Sequence, residues 1–124
     1  MDSFLPTQPI YIQIIDRIKK EIVSEVLKPA AALPSVRDLA MKYKVNPNTA
    51  QRALSELERS GLVRSDRNIG RYVTDDIKLI KELHGQMVTD ITNRFVNELE
   101  ELKVSEEESI LQVQMVFKER KNHD

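Results

Sequence analysis

The sequence predicts a mainly α-helical protein, in which three helices and a β-hairpin are followed by two further helices. Three observations predict this architecture. Apolar residues recur at helical spacing along most of the chain, capping residues precede the periodic segments, and two β-prone runs flank a turn that contains Asn and Gly. At 124 residues the chain has room for one compact domain and an appendage, which we expect at residues 1–75 and 76–124.

The first helix is predicted to start at Pro9 and to end before Lys28-Pro29. Its apolar residues recur as on one face of a helix, and they are Tyr11, Ile14, Ile15, Ile18, Ile22 and Val26. The helix is therefore amphipathic, and its apolar face needs other helices to cover it.

The segment LPSVRDLAMKYKVNPNTAQRALSELERSG predicts two short helices joined by a tight turn. Ser35, with Asp38 three residues on, resembles a capping box, and Asn46 followed by Pro47 is a strong helix start. Two capped helices separated only by Lys44-Val45 must cross. The second helix opens with small polar side chains, which indicates that its end meets a polar, ordered partner such as DNA.

A β-hairpin is predicted after Gly61, which is a natural helix stop. Two short β-prone runs, Leu62–Ser65 and Arg71–Thr74, flank a tip in which Asn68 and Gly70 tolerate positive φ. Three helices followed by a hairpin make a winged helix-turn-helix. The tip is also predicted to carry Arg67 and Arg71, which a purely structural turn does not need.

The tail is predicted to contain two helices that need a partner. The first follows Asp75-Asp76, and the second follows Ser105 in a capping box, is apolar on more than one face and frays from Lys118. The apolar face of the first helix comprises Ile77, Ile80, Leu83, Met87, Ile91, Phe95, Leu99 and Leu102. Two helices alone offer little core, so we expect a homodimer through residues 76–124.

Composition and charge narrow the function. The chain has no cysteine, which excludes disulfides and thiolate metal sites, and only two histidines, so neither a metal site nor a cofactor is expected. No nucleophile–base pair stands out, and we expect no enzyme. No apolar run approaches the roughly 20 residues that cross a bilayer, and no signal peptide is evident, so we expect a cytoplasmic protein without a membrane partner.

The net charge of −1 conceals a segregation of charge along the chain. Residues 28–71 carry nine Lys and Arg against four acids, a net charge of +5, whereas residues 77–124 carry seven basic residues against ten acids, a net charge of −3. A basic module that contains the crossed helices, joined to an acidic tail, is typical of a phosphate-facing domain with a separate partner-facing segment.

Over about residues 8–74 the sequence resembles the DNA-binding domain of the GntR family of bacterial transcription regulators. The resemblance rests on Leu33–Ala40, on Val45–Thr49, on Leu54-x-x-Leu57-x-x-x-Gly61-Leu62 and on the first-helix pattern around Tyr11. A tail of only some 50 residues is similar to the YtrA-like branch. The resemblance implies a homodimeric repressor of an inverted-repeat operator, and control of an ABC-transporter operon.

Two positions depart from the family pattern, which has glycine at both. Ala30 stands at one and Asn68 at the other. Because Asn tolerates positive φ and Ala does not, we expect the wing to persist and the loop at Ala30 to be reshaped.

The resemblance places DNA contacts on the second helix, the start of the third and the wing, and the residue chemistry agrees. Asn and Gln pair with adenine and Arg with guanine in the major groove, while Lys44 and Arg52 suit the phosphate backbone. The candidate contacts are Arg37, Lys44, Asn46, Asn48, Thr49, Gln51, Arg52, Arg67, Asn68, Gly70 and Arg71.

Structural interpretations compete at some of these positions. Arg37 can instead pair with Asp38 or Glu56, and Asn46 is foremost a helix cap. Arg59 and Arg64 are interpreted as solvated surface.

Two other functions stay open for the whole chain. One is an effector-gated sensor of the same family, and the other is a winged helix that binds a protein.

Overall fold

The computed structural model describes residues 3–68 and 70–123, and it confirms the mainly helical fold with a winged helix-turn-helix. Within these residues the elements are α1 (Ile10–Val23), α2 (Val36–Tyr43), α3 (Pro47–Arg59), β1 (Val63–Asp66), β2 (Gly70–Val73), α4 (Ile77–Glu101) and α5 (Glu106–Asn122). The chain forms two compact units, Met1–His84 and Gly85–Asp124, and α4 begins in the first unit and continues into the second.

The core of the first unit lies among the three short helices and the hairpin. Ala50 and Ala53 are fully buried on α3, and their small side chains allow α1 and α2 to approach that helix closely. The first turns of α4 add Leu79, Ile80 and Leu83 to this core. The other buried apolar residues are Ile14, Ile18, Ile22, Leu39, Ala40, Tyr43, Leu54, Leu57, Leu62, Val63 and Val73.

The capping residues act as the sequence predicts. The Ser35 hydroxyl accepts a hydrogen bond from the Asp38 N–H at 3.1 Å, and the Asn46 side-chain oxygen accepts one from the Asn48 N–H at 2.8 Å. Between the two helices Lys44 takes a left-handed backbone with φ 56°, which makes the turn tight. The predicted crossed pair is confirmed.

α1 ends before Lys28-Pro29, as predicted, but the placement of Val26 on its apolar face is wrong. The helix stops at Val23, and Glu25 then adopts φ 64°, a left-handed conformation that breaks the helical ladder. The Leu27 N–H donates to the Glu21 carbonyl at 2.9 Å and closes the turn. Val26, which was assigned to the apolar face, is 70% exposed.

A loop between α1 and α2 extends the hairpin. In the hairpin itself Val63 pairs with Val73 and Asp66 with Gly70. The loop runs along the other edge of β2, where the Ala30 N–H donates to the Val73 carbonyl at 3.0 Å and the Val73 N–H donates to the Ala31 carbonyl at 2.8 Å. β2 is thus paired on both of its edges, with β1 on one side and with the loop on the other.

The wing persists with Asn68 at one of the two departures from the family pattern, as expected. Ala30 itself adopts the left-handed conformation, with φ 66°, so the loop is held in a glycine-like geometry by its pairing with β2. Asn68 is not among the described residues with positive φ, whereas Gly70 is, with φ 91°. The Asn68 N–H instead donates to the Asp66 carboxylate at 2.8 Å, which forms the turn. Ile69 lies outside the described residues.

The polar N-terminal segment docks on α1, which the sequence did not indicate. The buried amide of Gln13 accepts from the Leu5 N–H and donates to the Leu5 carbonyl, both at 2.7 Å, and it also donates to the Gln8 carbonyl at 3.0 Å. Phe4 packs beside Tyr43, with 6.0 Å between ring centroids. The segment is therefore part of the folded unit.

The second unit consists of the rest of α4 and α5, and none of its described residues is buried within one chain. The Ser105 hydroxyl accepts from the Glu108 N–H at 3.1 Å, so the predicted helix start is confirmed. The predicted fraying from Lys118 is wrong, because α5 continues to Asn122. Leu102 lies beyond α4 and is 74% exposed, so it does not extend the apolar face as predicted.

No helix in the described part of the chain combines the length and apolar composition needed to cross a membrane.

Candidate nucleic-acid interface

The start of α3 presents polar side chains to solvent while its other face is buried. Because the helix repeats every 3.6 residues, burial of Ala50, Ala53 and Leu54 leaves Asn48 and Gln51 on the opposite side, and both are exposed. The Gln51 amide nitrogen donates to the Ser55 hydroxyl at 3.0 Å, which orients the side chain along the helix surface. Nothing in the core requires polar residues at these two positions.

Asn46 and Thr49 flank this surface with less freedom. The Asn46 side-chain oxygen is occupied by the cap bond, which leaves its amide N–H groups as donors. Thr49 is half-buried. The interpretation of Asn46 as a cap is therefore confirmed, and its contact with DNA stays a prediction.

The cations at the two ends of α2 are exposed. Arg37 lies in the first turn of α2 and Lys44 in the turn that follows the helix. Of the two acids that could neutralise Arg37, Glu56 pairs with Arg59 at 3.4 Å instead. Within the described residues no ion pair engages Arg37 or Lys44. Both charges are available to an anionic partner.

Arg52 does not extend freely into solvent. Its guanidinium carbon lies 3.8 Å from the centre of the Tyr11 ring on α1, a close cation–π contact. Tyr11 was predicted on the apolar face of the first helix, and its contact with Arg52 was not predicted. The spacing within one helix gives no sign of it, because the two residues come from different helices.

Arg71 is not at the tip of the wing, so that prediction is wrong. It lies in β2, opposite Ser65 on β1, and its guanidinium bonds the Glu58 carboxylate of α3 at 3.1 Å. Ser65 donates to the same carboxylate at 2.7 Å. These two hydrogen bonds, that from Ser65 foremost, lower the pKa of Glu58 below its ordinary value. The network attaches the wing to α3.

Arg67 and Asn68 lie in the turn of the wing, Gly70 is the first residue of β2 beside it, and all three are exposed. Between the turn and the start of α2 lies a groove of about 500 Å³, lined in part by Ser35, Val36 and Arg67. The exposed cations near this groove come from α2 and the wing. The surface therefore offers neutral polar groups on α3 with basic groups on either side.

The fold defines a class of protein, the winged helix-turn-helix proteins. The second helix of the motif is α3, and it presents an exposed polar end. The first helix of such a motif supports the second, which enters the major groove of DNA, while positive charges meet the phosphates. No group of three or more His, Asp or Glu residues in the described part of the chain is arranged to hold a metal ion.

Comparison with known proteins identifies the family. The model described as "Bacterial regulatory proteins, gntR family" matches residues 10–73. The HTH-type transcriptional regulator YhcF of Bacillus subtilis is 38% identical over 109 residues, which is 88% of this chain and 90% of that protein. The HTH-type transcriptional repressor YtrA of the same organism is 38% identical over 91 residues, or 66% and 70% of the two chains.

Solved structures show the same likeness. A GntR family transcriptional regulator from Listeria monocytogenes has a TM-score of 0.85 and 37% identity, and the match covers 90% of this chain and 98% of that one. The DNA-binding domain of AraR, in complex with an operator, has a TM-score of 0.52 and 25% identity over 54% of this chain and 81% of its own.

The chain belongs to the GntR family and to its YtrA-like branch. It is a DNA-binding transcriptional regulator and not an enzyme.

Proposed function

We propose that the protein is a cytoplasmic repressor that binds an inverted-repeat operator as a homodimer. The single observation that carries the proposal is the exposed polar start of α3, where Asn48 and Gln51 face solvent with no structural need to do so. Each subunit would insert this end of α3 into one half-site. The pairing of two tails would then set the distance between the half-sites.

The contacts divide into base readout and phosphate binding. Asn48 and Gln51 have the groups that pair with adenine, and Arg37 has the fork that pairs with guanine. Phosphates beside the grooves are suitable partners for three cations, Lys44, Arg52 and Arg67. The amide of Asn46 and the hydroxyl of Thr49 can donate hydrogen bonds to the same phosphates. Asn68 and Gly70 let the wing approach the DNA backbone closely. Arg71 supports the wing through Glu58 and contributes to the interface indirectly.

The tail supports dimerisation through residues 76–124. Large apolar side chains remain exposed on α5, among them Ile110 at 50% and Phe117 at 60%. A groove of about 540 Å³ between α4 and α5 is lined by apolar groups that include Phe95, Leu99 and Val113. Exposed apolar side chains grouped in this way mark a site of interaction, and a second copy of the same tail is the simplest partner.

The target genes are proposed from likeness alone. The relative YtrA is described as a transcriptional repressor, and it matches this chain over most of its own length. This likeness supports repression by this protein as well. An ABC-transporter operon is the target that the resemblance to the YtrA-like branch implies.

The test is binding to a fluorescent duplex from the promoter region of the protein's own gene, measured by anisotropy over a range of salt concentrations. We expect affinity well above that for random DNA, with the affinity falling steeply as salt rises. Equal affinity for promoter and random DNA would contradict sequence-specific regulation.

Alanine substitutions separate DNA binding from a protein-binding role of the winged helix. Asn48→Ala with Gln51→Ala should weaken promoter binding about tenfold or more, because each good bidentate pair contributes roughly 1–3 kcal/mol of discrimination. Asn93→Ala, an exposed change on α4, is the matched control. The dimer, measured by analytical ultracentrifugation, should persist in all variants.

A further inference from the structure

The guanidinium of Arg52 is held in place by a ring from another helix. Its carbon lies 3.8 Å from the centroid of the Tyr11 ring. Tyr11 is half-buried and packs against the core of the winged helix, so the ring is a fixed platform, whereas Arg52 is exposed. Stacking on such a platform restricts a side chain that would otherwise sample many rotamers.

Arg52 has a carboxylate within reach along its own helix but does not use it. Glu56 lies four residues further on, at the spacing where helical ion pairs form. Glu56 pairs instead with Arg59, at 3.4 Å. Across residues 3–68 and 70–123, no ion pair engages Arg52. The N–H donors at the edge of its guanidinium are therefore uncompensated, while one face is covered by the ring.

The stack borders the start of α3. Tyr11 and Arg52 line a groove of about 370 Å³ together with Ile10, Asn48 and Thr49. In the proposed complex the end of α3 lies in the major groove, and the phosphates of the duplex run along both sides of that groove. A guanidinium with a fixed plane presents two parallel donors, which match the oxygens of a phosphate.

We propose that Tyr11 is a positioning residue for DNA binding, whose ring aims Arg52 at a backbone phosphate beside the recognition helix. The proposal rests on the proposed function and names a contact within it. The face of the ring performs the role, and the phenolic hydroxyl is not required. The ligand is a phosphodiester of double-stranded DNA, so the effect is the same for every base sequence.

The experiment measures anisotropy with a duplex that the wild-type protein has enriched from a random pool. Tyr11→Leu should bind about threefold to tenfold more weakly, and Tyr11→Phe should stay within about twofold of wild type. Arg52→Ala should lose at least as much affinity and lower the salt slope by about 1. The double variant Tyr11→Leu/Arg52→Ala should match Arg52→Ala, because the ring acts only through the arginine.

Glu56→Gln/Arg59→Ala is the matched control, since Arg59 is an exposed arginine of the same helix and its partner Glu56 would otherwise be freed at ion-pair spacing from Arg52. It should bind like wild type. Thermal unfolding checks each variant. Should Tyr11→Leu fail to fold, Arg52→Lys leaves α1 intact and tests the same stacked plane, with an expected loss of about threefold.

Three results would overturn the proposal: wild-type affinity in Tyr11→Leu or in Arg52→Ala, an equal loss in Tyr11→Phe and Tyr11→Leu, or additive losses in the double variant. A wild-type protein that enriches no DNA would instead overturn the proposed function. The two failures are thus distinguishable.

Discussion

Ala30 holds a left-handed backbone in the loop that pairs with the wing. Its φ of 66° is unfavourable for any residue with a Cβ, and its N–H is engaged by the Val73 carbonyl at 3.0 Å, so the loop cannot relax without losing that bond. The strain is therefore retained in the folded state, and glycine would remove it.

Ala30→Gly is expected to raise the free energy of unfolding by about 0.5–1 kcal/mol, because relief of the left-handed strain exceeds the added flexibility of the unfolded chain. Urea unfolding followed by circular dichroism measures it. Ala31→Gly, beside it but with an ordinary backbone, should destabilise instead. Equal destabilisation by both changes would show that Ala30 is not strained.

Gln13 fastens the N-terminal segment to α1 through three hydrogen bonds. Gln13→Ala should lower the free energy of unfolding by about 1–3 kcal/mol and release the segment around Phe4, because buried hydrogen bonds are lost. Urea unfolding and limited chymotrypsin digestion measure the two effects. Gln8→Ala, an exposed change nearby, should alter neither, and an undigested Gln13→Ala protein would contradict the docking.

The contribution of Glu58 to the stability of the wing depends on pH. Its folded-state pKa is lowered by the bonds from Ser65 and Arg71, so its contribution to stability is present above the ordinary value of 4.5 and is lost as pH falls through the lowered value. The free energy of unfolding should therefore be higher for wild type than for Glu58→Gln at pH 7, and the two values should converge in stronger acid. A difference that is constant with pH would contradict the network.

Among the elements, those defined by local signals were predictable. Ser35, Asn46 and Ser105 fix their helix starts by bonds to residues two or three positions on, and such bonds can be deduced from sequence. The pairing of Ala30 with Val73 and of Arg71 with Glu58 joins residues distant in sequence, and no local pattern encodes it. The assignment of Val26 to the apolar face of α1 was wrong because Val26 continues the helical spacing although the backbone turns at Glu25.

Arg67 and Arg71, two of the arginines in the wing, have different roles. Arg67→Ala should leave the free energy of unfolding unchanged but lower the salt dependence of DNA binding by about one phosphate contact, because the residue is exposed at the turn.

Arg71→Ala should reduce the protection of wing amides from hydrogen exchange, since it removes the ion pair with Glu58. Unchanged exchange in Arg71→Ala would show that the wing is held by the loop alone.

In the molecule as a whole, charge and apolar surface are divided between the ends of the chain. Residues 28–71 carry a net charge of +5 and residues 77–124 a net charge of −3. The basic part contains the interface surface, and the acidic part contains the uncovered apolar helices. This division fits the proposed roles of the two units. The basic unit binds DNA, and the tail binds a second copy of the chain.

Selection of DNA from a random duplex pool, followed by sequencing, tests the central claim most directly. The wild-type protein should enrich one motif with two half-sites in inverted orientation, each read by one α3. The Asn48→Ala/Gln51→Ala variant, still dimeric, should lose that enrichment. Enrichment of no motif by wild type, or of the same motif by the variant, would contradict readout by the start of α3.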